Sequence, residues 1–215
     1  MFALRRIEIR GAPPEIASRV RRALSPLEGR TLLALDSADV ERRLEALPYV
    51  AASSYDRDFP HTLRMTIRPE HAVAIARRGA QAWVIAAGGR AISRVPLHVR
   101  PRLPRIWLAH SGDPVVGTPI TDPFALRSVR VLAAARLAHF RPRMRMVRSR
   151  EHDLALLLAR GIEVRLGELR AIRLKLAVAA RVLPVLYAHG GYTYLDVSVP
   201  ERPVAGTNSQ PESLG

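Results

Sequence analysis

At 215 residues the chain is long enough for one or two domains and for a sizeable core without covalent staples. With 48% hydrophobic and 25% charged residues, wholesale disorder is excluded, and the absence of cysteine excludes disulfide scaffolds, thiolate metal sites and cysteine nucleophiles. The 34 basic residues exceed the 19 acidic ones by 15, and Lys175 is the single lysine. A charge of this sign favours nucleic acid, anionic lipid or an acidic polymer. The arginine skew also reads as the codon bias of a GC-rich genome, and the plain alternative is a solvated basic surface. Aromatic residues are only 5% and are not interleaved with arginines as base-stacking surfaces require, so no nucleic acid is expected as a partner.

From the amino terminus, Ile7 and Ile9 alternate within residues 4–10, the pattern of a half-buried strand. Gly11-Ala12-Pro13-Pro14 is a turn. Ile16, Val20 and Leu24 then recur every four residues on one helix face. After a short apolar segment at Leu32, Leu33 and Leu35, Asp36 or Ser37 caps a second helix with Val40, Leu44 and Leu47 on one face. Pro48 marks its end. Residues 49–59 read as a strand, Pro60-His61 as a turn, and Leu63, Met65 and Ile67 alternate with Arg64, Thr66 and Arg68 in an amphipathic strand. The first 70 residues therefore predict a β-α-α-β-β unit, a three-stranded sheet with two helices on one face.

Beyond residue 71 the pattern turns to short strands at 72–76, 82–85 and around Ala91-Ile92. Pro96, Pro101 and Pro104 break the following chain into extended pieces. Asp122-Pro123 supplies a cap and an N1 proline for a helix reaching Phe140. Strands follow at 143–148, 153–158 and 162–166. A helix is expected over 168–186, with Ile172, Leu176, Ala179, Leu183 and Leu186 as its buried stripe. Gly190-Gly191 turns the chain into a final strand, 192–199, and residues 201–215 read as a disordered tail.

No stretch is long and apolar enough to span a membrane. The longest uncharged run, 182–195, is broken by Pro184, His189, Gly190 and Gly191, and the amino terminus lacks the apolar length of a signal peptide. Catalytic signatures are missing too. There is no phosphate-binding glycine loop, no G-x-S-x-G elbow, no S-x-x-K, and no H-E-x-x-H among the seven histidines. Glu41 and Glu45 share a helix face, but Arg42 and Arg43 lie beside them, the mark of a charged solvent face. His110-Ser111-Gly112-Asp113 resembles a nucleophile cluster only in composition. These residues point away from an enzyme and imply no cofactor or metal.

A family resemblance runs through nearly the whole chain, from about residue 4 to 204. Ile7-Glu8-Ile9-Arg10-Gly11 resembles the opening strand of a POTRA domain. Residues 29–36, then Leu44-Glu45-Ala46-Leu47-Pro48-Tyr49-Val50, and Arg57-Asp58-Phe59-Pro60-His61-Thr62-Leu63 continue the pattern. That ordered set resembles the FtsQ/DivIB bacterial cell-division proteins. Glu70-His71-Ala72-Val73-Ala74, Trp83-Val84-Ile85 with Gly89-Arg90-Ala91-Ile92, Leu103-Pro104, residues 161–167 with Lys175-Leu176, and residues 194–204 resemble the family's second domain. Ala86, Ala72 and His71 depart from its usual residues.

The resemblance implies an α+β architecture: a POTRA domain at 4–70, a larger mixed α+β domain at 71–200 whose extended sheet ends in an edge strand, and the tail. It implies a non-enzymatic divisome scaffold that meets FtsB- and FtsL-type coiled-coil proteins, FtsW and the septal transpeptidase. Family members carry one membrane span with both folded domains outside the cytoplasm, at the division septum. That span has no counterpart within these residues, which the resemblance explains by a misplaced start codon or a trimmed chain. Partner capture is expected by strand addition on 192–199, where main-chain groups pair and side chains select. Tyr192, Tyr194, Leu195, Val197 and Val199 are the candidate contacts, and Lys175 is expected to place a cation beside an acidic partner residue. On the POTRA surface, Arg42, Arg43 and Arg57 are candidates for divisome contacts or anionic lipid headgroups. A basic nucleic-acid-binding module, supported by charge alone, and a POTRA-containing outer-membrane assembly protein are the alternatives. The latter calls for POTRA repeats or a barrel that residues 71–215 do not suggest.

Overall fold

The computed structural model describes residues 2–96 and 102–208. The chain divides into two compact units, Met1–His71 together with Val116–Thr118, and Ala72–Val115 together with Pro119–Gly215. The part of the proline-broken segment at 97–101 and the tail residues 209–215 lie outside the described residues.

The first unit follows its sequence pattern closely. Strand β1 (Arg6–Arg10) leads into helix α1 (Pro14–Leu24), then helix α2 (Ser37–Glu45), and strands β2 (Val50–Asp58) and β3 (Thr62–Pro69). Pro14 sits in the first turn of α1, where its missing N–H has no helical partner to lose. Asp36 caps α2 by accepting the Ala38 N–H at 3.0 Å. β3 is central, parallel to β1 and antiparallel to β2. Its inward residues Leu63, Met65 and Ile67 pack with Val20 and Leu24 of α1 and Val40 and Leu44 of α2 in one core. The tight turn after β1 needs glycine. Gly11 has φ +79°, and a Cβ there would stand 2.5 Å from the Ile67 carbonyl oxygen.

The second unit is built on a nine-stranded sheet. Its strands are β4 (Ala72–Arg78), β5 (Gln81–Ala86), β6 (Ala91–Arg94), β7 (Arg105–Trp107), β8 (Met144–Ser149), β9 (Leu154–Leu158), β10 (Glu163–Arg165), β11 (Tyr194–Asp196) and β12 (Val204–Gly206). Their spatial order is β12-β11-β10-β9-β8-β7-β4-β5-β6. Helices α3 (Pro123–Leu137) and α4 (Ile172–His189) share one core with the sheet. Leu154, Leu156 and Leu158 of β9 and Val164 of β10 point into it, while Arg148, Glu163, Arg165 and Tyr194 lie on the opposite, open face. The α4 stripe is the expected one: Leu176, Ala179, Leu183 and Leu186 are buried, with Ile172 partly so.

Asp122 anchors α3 as its N-cap. Oδ1 accepts the N–H groups of Phe124 and Ala125 at 3.0 and 2.9 Å, and Oδ2 accepts those of Ala109 and His110 at 2.9 Å each. Burial alone pushes this carboxyl up, but the four donors outweigh it and hold the group below its usual range.

The structure corrects three sequence expectations. α4 starts at Ile172 rather than Glu168, because Ala171 turns left-handed at φ +54°. The final strand is shorter than 192–199 and is not last. β11 ends where Asp196 accepts the Ser198 N–H at 2.8 Å, and the chain turns through residues 200–202. Residues 204–206, expected to be part of a disordered tail, return as β12 alongside β11.

Candidate functional site

The sheet terminus that the sequence assigned to 192–199 belongs to β12. β11 runs parallel to β10 on one side, pairing Glu163 with Tyr194, Val164 with Leu195 and Arg165 with Asp196. On its other side β12 pairs antiparallel, Tyr194 with Gly206, Leu195 with Ala205 and Asp196 with Val204. The amide row expected to be free is therefore filled by the protein's own chain. Among the described residues no strand pairs with the far side of β12. Three residues cannot hold a strand by ladder bonds alone, so side chains must fasten it.

They do so on the open face. The Tyr194 ring lies across Gly206, where an added Cβ would stand 2.7 Å from Tyr194 Oη and 2.9 Å from Cε1 and Cζ. The Arg165 guanidinium stacks on that ring at 4.0 Å. Arg165 Nη2 donates to Asn208 Oδ1 at 2.7 Å, the Asn208 N–H donates to Thr193 Oγ1 at 2.6 Å, and the Thr193 N–H donates to the Gly206 carbonyl at 2.9 Å. The clasp continues into a charge ladder. Arg165 approaches Glu163 at 3.6 Å, and Arg148 bridges Glu163 at 2.6 Å and Asp153 at 3.2 Å. Burial lowers the Arg148 pKa, but the two carboxylates outweigh it and the net shift is upward.

The sequence-chosen residues thus separate into groups. Tyr194 sits on the correct face but spends its ring holding β12, so a substitution there disturbs the edge itself. Leu195 and Val197 are fully buried in the core and offer nothing to a partner. Tyr192 and Val199 are exposed, at either end of the hairpin that β11 and β12 form. Lys175 is not a surface cation. It is buried, and its Nζ donates to the carbonyls of Leu166 and Glu168 at 2.8 and 2.9 Å, tying the first turn of α4 to the loop after β10. Burial lowers its pKa, with Glu168 and Asp196 opposing. In the first unit, Arg42 and Arg43 both reach Asp39 at 3.3 Å, and Arg57 Nη2 donates to the Leu35 carbonyl at 2.7 Å. Of these three, Arg42 keeps the most exposed side chain.

Sequence reasoning missed Val204, Ala205, Gly206, Arg165, Thr193 and Asn208. Only Val204-Ala205-Gly206, a short apolar run ending in glycine after Pro203, hinted at a strand. No group of three or more metal-ligating side chains occurs among the described residues, and no described helix is long and apolar enough to cross a membrane.

A family model described as POTRA domain, FtsQ-type, matches residues 2–68. A search of curated proteins finds no match to the chain. The matched region coincides with the β1-α1-α2-β2-β3 unit, whose mixed three-stranded sheet and two helices stand as its sequence expected. Residues 2–68 thus match a POTRA domain of the FtsQ type in both sequence and fold, a domain that suggests a cell-division protein.

Proposed function

We propose that the protein is a non-enzymatic divisome scaffold that captures a partner by strand addition on β12. The observation that carries this reading is that β12 ends the nine-stranded sheet and, among the described residues, its far side is unpaired. A strand in that position offers main-chain donors and acceptors to an incoming segment, and alternate side chains set its register. Exposed Val204 and Tyr192 border the edge and supply apolar contact. The FtsQ-type POTRA domain supports a cell-division partner in general, and on this reading the partner is an FtsB- or FtsL-type coiled-coil protein working with FtsW and the septal transpeptidase at the division septum. Arg42, the most exposed of the three POTRA arginines proposed as contacts, serves a second divisome protein or anionic lipid there.

The absence of cysteine makes the test clean. Single cysteines at Val204, Ala205 and Gly206, each combined with single cysteines along a co-expressed FtsB-type protein, are oxidised and scored for disulfide formation. Strand addition requires efficient pairs at every second partner position, because alternate residues of a strand share a face. Cross-linking with a helical repeat, or none on β12 while the proteins still co-purify, overturns the reading.

A further inference from the structure

Two hollows meet at Arg143 in the second unit. The first, about 570 Å³, lies between the α4 residues Ala180, Leu183, Pro184 and Tyr187 and the chain around Arg141 to Arg143, with Arg160 at its rim. The second, about 490 Å³, has Leu103, Trp107, Met146 and Leu157 among Arg102, Arg105, Arg143 and Arg145. Among the described residues no carboxylate lines either hollow. All six arginines, 102, 105, 141, 143, 145 and 160, are exposed, and none has an ion pair among the described residues. On the same sheet Arg148 and Arg165 do have carboxylate partners. Gathered like charges without counter-charge cost stability, and a concave surface focuses their field outward onto a ligand.

The walls define what that ligand is. Tyr187 is stacked by Arg160 at 4.4 Å, which sets a cation at the margin of an apolar floor. Trp107 is 52% exposed, and its indole N–H donates to Met146 Sδ at 3.3 Å, so its ring is free to pack without a stranded polar atom. Pro184 lies inside α4 and has no N–H for the Ala180 carbonyl, and both residues line the first hollow. An occupant needs carboxylates, apolar side chains and N–H donors in one short segment.

We infer that these two hollows, which share Arg143, are a docking site for an acidic peptide segment of a partner protein, with apolar side chains seated on Pro184 and Tyr187 and carboxylates on the arginines around Arg143. A single-stranded nucleic acid requires successive aromatic platforms, and the second hollow has Trp107 alone. A lipid surface is planar and meets a convex face, whereas both sites are recessed. The site lies on β7–β9 and α4 and is independent of the β12 edge.

The test uses the whole chain and a fluorescein-labelled ten-residue peptide of alternating glutamate and leucine, read by anisotropy. Decaglutamate, a single-stranded oligonucleotide and phosphatidylglycerol vesicles are the comparison probes. The parent binds the alternating peptide, and decaglutamate binds at least about tenfold more weakly because it lacks the apolar anchors. Arg143→Glu and Arg145→Glu each weaken the alternating peptide by at least about tenfold, while Arg21→Glu, an exposed arginine of α1, changes it less than about twofold. Equal losses in Arg21→Glu and Arg143→Glu reduce the effect to bulk charge and overturn the inference. So does equal binding of decaglutamate, or Arg143-dependent binding of the oligonucleotide or vesicles without binding of the peptide. The β12 cross-linking pattern is unchanged in Arg143→Glu, which separates this site from the edge.

Discussion

Gly206→Ala tests the clasp that holds the sheet's last strand. The new methyl group would stand 2.7 Å from Tyr194 Oη and 2.9 Å from two ring carbons, closer than non-bonded atoms tolerate. The contact is with the far end of a side chain, so the ring swings out and the backbone keeps its course. Leaving costs the Arg165 stacking, about 0.5–1 kcal/mol for a partly exposed pair. It also costs the dispersion attraction of the ring packed on β12, a further ~0.5–1 kcal/mol. The sum, about 1–2 kcal/mol, falls on the opening of β12 rather than on global unfolding, because the core of the unit is untouched. Amide hydrogen exchange reads it directly. The Asn208 N–H, bonded to Thr193 Oγ1, and the Thr193 N–H, bonded to the Gly206 carbonyl, exchange roughly 5–30 times faster than in the parent. Amides of β9 keep their rates. Exchange at Asn208 and Thr193 within about twofold of the parent refutes the claim that Tyr194 fastens the edge.

Other perturbations test the framework around the sites. Asp122→Asn leaves an NH2 group facing the Ala109 and His110 N–H donors and removes two charge-assisted bonds, so urea unfolding shows a loss of about 2–4 kcal/mol. A loss below about 0.5 kcal/mol contradicts the anchoring role. The same carboxyl gives an acid dependence. Its folded pKa lies below the unfolded value of 3.8, so its contribution is complete above that value and vanishes as pH falls through the folded one. The stability gap between parent and Asp122→Asn therefore narrows through the acid range, and a gap constant down to pH ~2 refutes the depressed pKa. Lys175→Met leaves the Leu166 and Glu168 carbonyls without their donor and lowers stability by about 1–3 kcal/mol, with β12 cross-linking retained. Loss of cross-linking with stability intact restores Lys175 as a contact residue.

The POTRA unit is legible in its sequence because its signals are local. Alternation at Leu63, Met65 and Ile67, four-residue spacing at Val20 and Leu24, and the Asp36 cap each specify an element from neighbouring residues. The Asp122 cap and the α4 stripe are legible for the same reason. The candidate site is legible only in part. A strand near Tyr194 follows from alternation, yet the expectation of strand addition counted Leu195 and Val197 among the contacts although they face the core. Lys175 carries a charge that a sequence reads as exposed, and only its burial against two backbone carbonyls makes it an anchor.

Local patterning by itself determined the element types and the cap positions, and composition the positive charge. Tertiary structure decided which strand ends the sheet and where the arginines gather. β12 is three residues long, too short for a periodic signal, and it exists because Tyr194, Arg165, Thr193 and Asn208 meet across separate segments. The six arginines without an ion pair among the described residues span residues 102–160 in the chain and line two hollows that share Arg143 only when β7, β8 and the turn after β9 are laid side by side. Pairing and proximity between distant segments are properties of the folded backbone, and no window of sequence contains them.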